Sequence, residues 1–352
     1  MSLRRRDLIL SLSASSLAAC APTVQNSLVP GRGFAGPAFA GDRFVSFDGA
    51  RLGLTTWRAE GDYGDDPWAV IVGLHGMDDY ANAFHMAGPW WAQQGVTTYA
   101  FDQRGFGRSP GRGLWAGETL MAEDLRVACA LARQRHPRAI IAVAGESMGG
   151  AVAIAAFASE RPPDADRLVL LSPAVWGFSQ QPLPYSALLW AASRTLPAYV
   201  AKPPSFLTRH IWASDNVPEL IAMGRDRLMI WGSRFDALYG LVALMETAWQ
   251  DIDKVRLPTA YLYGAHDQII PKAAAFSAAA RLRPPRRTLY YDRGWHLLLR
   301  DLQAATVWRD VEAFIRDPSA PPPSGAGPIP KAPPPKPSRT PDLPPGIKLG
   351  EK

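Results

Sequence analysis

Short apolar runs recur along the chain from residue 43, each about the length of a buried strand. They are Arg43–Phe47, Leu52–Trp57, Ala69–Leu74, Thr97–Phe101, Ala139–Ala144, Arg167–Leu171, Thr259–Tyr263 and Arg287–Tyr291. Several are continuously apolar rather than alternating, which is the pattern of strands covered on both faces. Helical periodicity lies between them, notably over Glu118–Arg135 and Met148–Ala158, and Asp301–Ile315 follows the last run. Strand–helix alternation predicts an α/β fold with a mostly parallel, eight-stranded sheet flanked by helices. No repeat of 20–50 residues interrupts it.

The alternation breaks between Ala174 and Gln250. Six prolines, from Pro182 to Pro218, cut this stretch into short pieces with no clear strand, and five tryptophans fall within it. It is expected to be a helical cap over the sheet, about residues 174–250. Most of its aromatics should fill its own core, with a few left to line an apolar cavity.

Both ends depart from the body. Residues 1–19 form a basic start, a 12-residue apolar stretch from Leu8 to Ala19 and a small-residue zone before Cys20, the layout of a secretory signal. Twelve residues at about 1.5 Å each cannot span a hydrocarbon core of about 30 Å. Arg5-Arg6-Asp7-Leu8-Ile9 resembles a twin-arginine export signal. Leu17-Ala18-Ala19-Cys20 resembles a bacterial lipobox, which implies lipidation of Cys20 and anchoring at a membrane surface without a spanning helix. The expected location is the bacterial cell envelope on its periplasmic face, with Ala21 after the cysteine favouring the outer membrane. Residues 20–41, rich in Pro, Gly and Ala, read as a spacer to a domain over 42–317. Residues 318–352 hold thirteen of the 33 prolines and read as a disordered, polyproline-II-rich tail, available for envelope contact.

Charge and cysteines narrow the classes. The 352 residues are 47% hydrophobic and 20% charged, which suits a globular protein. The formal charge of +6 resides mostly in the ends: residues 1–19 carry +2 and residues 318–352 carry +3, leaving the body near +1. That is no footprint for nucleic acid. Of the two cysteines, Cys20 and Cys129, the second falls on a helical pattern and reads as a buried small hydrophobe.

Candidate chemistry lies at three places. First, the run Ala142–Ala144 leads into Gly145-Glu146-Ser147-Met148-Gly149-Gly150 and then a helix. Gly-x-Ser-x-Gly between a strand and a helix is the nucleophile elbow, which lifts a serine hydroxyl into a cleft above a helix N-terminus. Second, Val70–Leu74 leads into His75-Gly76-Met77, the place of a loop that supplies an oxyanion amide. The backbone N–H groups of Met77 and Met148 are therefore the candidate oxyanion hole, and His75 reads as a structural hydrogen-bonding group. Third, Asp267 follows the strand ending at Tyr263, and His296 follows the strand ending at Tyr291. A serine needs an imidazole to take its proton, and the chain order Ser147, Asp267, His296 is the order expected on this fold. His266 neighbours the acid, while Asp292 and Asp301 read as surface or helix-cap residues. His85, His136 and His210 have no partner motif. No pair has zinc-ligand spacing and no phosphate loop occurs, so neither metal nor cofactor is implied.

At these residues the chain resembles the α/β-hydrolases, most nearly their monoacylglycerol lipase and lysophospholipase branch. The resemblance is carried by His75-Gly76-Met77, the loop Phe101-Asp102-Gln103-Arg104-Gly105-Phe106-Gly107-Arg108-Ser109, the Gly145–Gly150 elbow, Tyr263-Gly264-Ala265-His266-Asp267 and Gly294-Trp295-His296, over roughly residues 43–316. It implies a serine ester hydrolase with an acyl-enzyme intermediate and a structural role for the Asp102–Ser109 loop. Met77 stands where relatives often carry a smaller residue, which narrows the expected acyl pocket. The Trp-rich insert and the lipobox point to an acyl lipid substrate, such as a monoacylglycerol or lysophospholipid. A short-chain carboxylesterase, an acyltransferase or a small-peptide hydrolase fits the same triad, and a catalytically silent lipid-binding lipoprotein stands outside the enzymes.

Overall fold

The computed structural model describes residues 22–202 and 211–331; residues 1–21 with Cys20, residues 203–210 with His210, and the chain from residue 332 lie outside the described residues. The strands are β1 (Ala38–Ala40), β2 (Arg43–Val45), β3 (Arg51–Trp57), β4 (Ala69–Leu74), β5 (Val96–Phe101), β6 (Ile140–Glu146), β7 (Arg167–Leu171), β8 (Val200–Ala201), β9 (Ser233–Arg234), β10 (Thr259–Gly264) and β11 (Arg286–Tyr291). The helices are α1 (Ala87–Gln93), α2 (Glu118–Arg135), α3 (Met148–Ala158), α4 (Leu183–Thr195), α5 (Val217–Arg225), α6 (Phe235–Asp251), α7 (Lys272–Arg281) and α8 (Ala304–Arg316).

Nine strands form one sheet in the order β1-β2-β3-β5-β4-β6-β7-β10-β11. From β5 to β11 every pairing is parallel; β1, β2 and β3 join antiparallel. The eight predicted strands are all present, and the ninth, β1, lies in the segment read as a spacer. Side chains alternate between two cores. On β4, Val70, Val72 and Leu74 enter the core with α2, α3, α6 and α7. Ala69 and Ile71 enter the other, with α1 and α8. Burial on both faces explains the unbroken apolar runs.

The insert differs from its reading in two ways. It contains a two-stranded ladder, β8 with β9, where no strand was expected, because a pair of two-residue strands leaves no periodicity. Its aromatics are also less inward than expected: Trp190 and Trp231 are 53% and 55% exposed. Among the described residues no helix is long and apolar enough to cross a membrane.

Both ends of the described chain are seated on the body. The Gln25 N–H donates to Trp115 O at 2.9 Å, the Leu28 N–H donates to Asp48 Oδ2 at 2.8 Å, and the Phe39 ring stacks on Tyr99 at 4.5 Å. Residues 22–41 are thus part of the wall rather than a free spacer. The first part of the proline-rich tail, residues 318–331, also departs from the disordered reading. The Tyr290 N–H donates to Gly327 O at 2.9 Å, the Ile329 N–H to Thr288 Oγ1 at 3.2 Å and the Ser324 N–H to Asp310 Oδ1 at 2.9 Å. An extended chain has unpaired backbone groups, and here the outer edge of β11 and the Asp310 carboxylate of α8 satisfy several of them.

Candidate active site

β6 ends at Glu146 and α3 begins at Met148, leaving Ser147 alone at the turn with φ 52° and ψ −114°. A non-glycine residue at positive φ is strained, and surrounding structure must hold it. Two hydrogen bonds do so: the Ser147 N–H donates to Leu171 O, and the Ala174 N–H donates to Ser147 O, both at 2.9 Å. The flanking glycines permit the approach, since a Cβ on Gly149 would lie 2.3 Å from Leu74 O and one on Gly145 2.6 Å from Gly149 O. Ten successive residues of α3, Met148 to Phe157, are buried, so the serine stands on a fixed base. The Met148 N–H belongs to the first turn, where amides lack intrahelical acceptors and the helix dipole favours negative charge.

The loop after β4 runs alongside. A Cβ on Gly76 would lie 3.3 Å from Ser147 Cβ, so the chain leading to the Met77 amide passes against the elbow. His75 fixes this loop. Its Nε2 accepts from the Gln103 N–H at 2.8 Å, which leaves the proton on Nδ1 to donate to Gly76 O at 2.7 Å. Burial, chiefly, lowers the pKa of this fully enclosed imidazole. Both nitrogens are occupied, and the ring is a brace. The Asp102–Ser109 loop is equally structural: Asp102 accepts from the Ala81 and Arg108 N–H groups at 2.9 and 2.8 Å, and Arg104 forks onto Asp48 and Asp124.

Asp267 and His296 meet. The two follow β10 and β11, which are parallel neighbours, and His296 Nδ1 lies 2.9 Å from Asp267 Oδ2. The other carboxylate oxygen accepts from the Ile269 and Ile270 N–H groups at 2.8 and 2.9 Å. The carboxylate is thereby oriented from both sides, and the imidazole carries its proton on Nδ1, with a lone pair on Nε2. Burial disfavours the charged ring, but the Asp267 charge and hydrogen bond, reinforced by Glu146 and Asp301, outweigh it and raise the His296 pKa. Among the described residues the Ser147 hydroxyl makes no hydrogen bond, to His296 or to any other group. Contacts between nucleophile and base are often long without substrate and tighten in the complex.

Asp301 corrects its sequence reading. It is buried rather than a surface group, accepting from the Trp295 N–H at 2.7 Å and the Ser214 hydroxyl at 2.6 Å, and burial pushes its pKa well above the carboxylate range. Asp292 is exposed as expected. The His266 ring stacks on Trp295 at 5.0 Å. His85 Nε2 stands 3.5 Å from Glu219 Oε2, and His136 Nε2 is 2.9 Å from Tyr99 Oη. Cys129 is buried and free, with its thiol pKa pushed up by burial.

Sequence reasoning missed one group. Arg300 is buried beneath the site, and its Nη2 donates to Asp79 Oδ2 and to Glu146 Oε1, each at 2.7 Å. The sole signal was an arginine four residues past a candidate histidine. The loop after β4 also reaches outward, since Asp78 Oδ2 accepts from the Ser233 hydroxyl at 2.6 Å and Asp78 O from the Ile230 N–H at 2.9 Å. Both donors belong to the insert.

Comparison with known proteins agrees with this architecture. Residues 65–303 match the hydrolase family described as serine aminopeptidase, S33. The chain is 26% identical over 278 residues to a monoacylglycerol lipase of Mycolicibacterium smegmatis, covering 77% of this chain and 95% of that one. In three dimensions it resembles a Paleococcus ferrophilus monoacylglycerol lipase (TM-score 0.61, 19% identity, 75% of this chain and 98% of the other). It also resembles a carboxyl esterase of Bacillus coagulans (TM-score 0.65, 19% identity, 79% and 98%). The structural likenesses speak to the fold, and the family match spans most of the chain. The protein is an α/β-hydrolase and belongs to the serine aminopeptidase S33 family.

Proposed function

We propose that the chain is a serine ester hydrolase that cleaves acyl esters of lipids, monoacylglycerols or lysophospholipids, through an acyl-enzyme. The observation that carries this reading is the Asp267–His296 pair, joined at 2.9 Å beyond the same end of the sheet as the strained Ser147. Ser147 Oγ attacks the ester carbonyl and passes its proton to His296 Nε2, while Asp267 stabilises the imidazolium. The Met77 and Met148 amides receive the oxyanion; one such donor is worth about 10²–10³ in rate. His296 then protonates the departing alcohol, and water, activated by the same imidazole, releases the fatty acid.

The lipid preference is supported by the names of similar proteins and by the apolar surface of the insert. Leu183, Leu188 and Trp190 on α4 are exposed. A panel of glycerol and p-nitrophenyl esters of rising acyl length, with Ser147→Ala alongside, tests it; turnover confined to acetyl esters would refute it. Fluorophosphonate labelling of Ser147 separates a live nucleophile from a silent binding protein. A second reading, hydrolysis of small peptides, is favoured by the family's own description. Aminoacyl amides in the same panel decide between them.

Lipidation of Cys20 belongs to the same proposal and brings the site to its substrate's surface. Membrane-fraction partitioning should be lost in Cys20→Ala; unchanged partitioning would refute the anchor.

A further inference from the structure

Beneath the site one guanidinium, carried by the loop after β11, joins the loop after β4 to the end of β6. Arg300 lies on the loop after β11 that carries His296 and is 1% exposed. Its Nη2 bonds Asp79, two residues beyond Met77, and Glu146, immediately before Ser147. Its Nη1 reaches Met223 Sδ of α5 at 3.6 Å. Asp79 and Glu146 are buried too. Such a cluster is costly to desolvate, and apolar residues of similar volume often serve stability as well or better. Its location is more informative than its existence. The chain from Asp79 to Met77 is only about 7 Å even when fully extended, so a shift of the carboxylate carries to the amide.

We infer that Arg300 is a positioning residue: by tying Asp79 to Glu146 it holds the Met77 amide in register with the Met148 amide and Ser147, so that the oxyanion site is assembled before the ester arrives. This rests on the ester hydrolase reading above. It assigns the cluster to transition-state binding rather than to substrate binding or to general stability. Two carboxylates face one guanidinium, and Glu146 is also one of the groups, with Asp267 and Asp301, whose negative charge favours the His296 imidazolium. The same cluster therefore bears on the base as well as on the oxyanion.

The test compares wild type with Asp79→Asn, Glu146→Gln and Arg300→Lys in the full chain. Hydrolysis of the best p-nitrophenyl ester is normalised to sites titrated to completion by a fluorophosphonate. The inhibition constant of a trifluoromethyl ketone bearing the same acyl chain is measured in parallel, with thermal melts as a fold control. In Asp79→Asn and Arg300→Lys, kcat per titrated site should fall about tenfold or more, since small misplacements at a reacting centre cost up to about 10²-fold. Ketone affinity should fall by a similar factor with KM little changed. In Glu146→Gln the acid limb of kcat/KM should move to lower pH. A purely structural cluster would lower the melting temperature and the number of titratable sites but leave kcat per site and ketone affinity unchanged, and that result overturns the inference. Asp79→Asn and Glu146→Gln keep their shape and carry the test if Arg300→Lys does not fold. Wild-type protein that neither labels nor hydrolyses esters would instead overturn the ester hydrolase reading itself.

Discussion

Asp267 divides its two oxygens between His296 and the backbone: Oδ2 meets imidazole Nδ1 at 2.9 Å, while Oδ1 accepts from the amides of Ile269 and Ile270. The carboxylate is thus held by the backbone as well as by the imidazole. Asp267→Asn should therefore leave the fold intact and present an amide that no longer demands a proton on Nδ1. Loss of the tautomer in a triad costs about 10⁴ in kcat. Steady-state kinetics with a thermal melt check this; a loss below about tenfold would argue against His296 as the base.

The pH profile follows from the direction of the His296 shift. In the proposed mechanism His296 acts as a neutral base, and its pKa is raised above the ordinary imidazole value of about 6.5. The acid limb of kcat/KM should accordingly lie above that value, and Asp267→Asn should move it down. The stability linkage has the matching sign. The folded state holds the His296 proton more tightly than the unfolded chain. That contribution is full below the ordinary value and fades as pH rises through the raised one.

Asp78 offers a separate linkage. Burial pushes its carboxyl up to about 6, against the Ser233 hydrogen bond and the Arg112 charge. A carboxyl raised in the folded state contributes stability below its unfolded pKa and loses it as pH climbs through the folded value. Asp78→Asn keeps an acceptor for Ser233 and tolerates the φ of 64°. It should raise the melting temperature at pH 8 relative to wild type, with little gain at pH 4. Equal shifts at both pH values would disprove the assignment.

Gly149→Ala should be among the most damaging single substitutions on the molecule. A Cβ there meets the Leu74 carbonyl at 2.3 Å, and neither that strand nor the buried helix has room to yield. Overpacking commonly costs about 1–3 kcal/mol, and a clash with backbone belongs at or beyond the top of that range. Denaturant unfolding, or loss of soluble protein, would report it.

Legibility in the sequence followed sequence distance. The elbow was readable because strand, glycines, serine and helix are contiguous, and Asp267 and His296 because each closely follows an apolar run. The Arg300 cluster was not, since its partners lie 221 and 154 positions away and nothing local marks them. Asp301 was misread for the same reason: Ser214, the hydroxyl that satisfies it, comes from the insert. Residues 22–41 looked like a spacer because their composition is poor in large apolar residues, yet Phe39 on Tyr99 and a few backbone bonds suffice to seat them. Strands of two residues, β8 and β9, fall below any period that a pattern can register.

The seating of residues 318–331 against β11 has a consequence for solution behaviour. β11 is the last strand of the sheet, and its outward N–H and C=O groups would otherwise form a template onto which a second sheet could stack edge to edge. A proline-rich ribbon is a suitable guard, because its own missing donors prevent it from propagating the ladder further. Cutting the chain after Arg316 would bare that margin, and self-association of the shortened protein would be its signature.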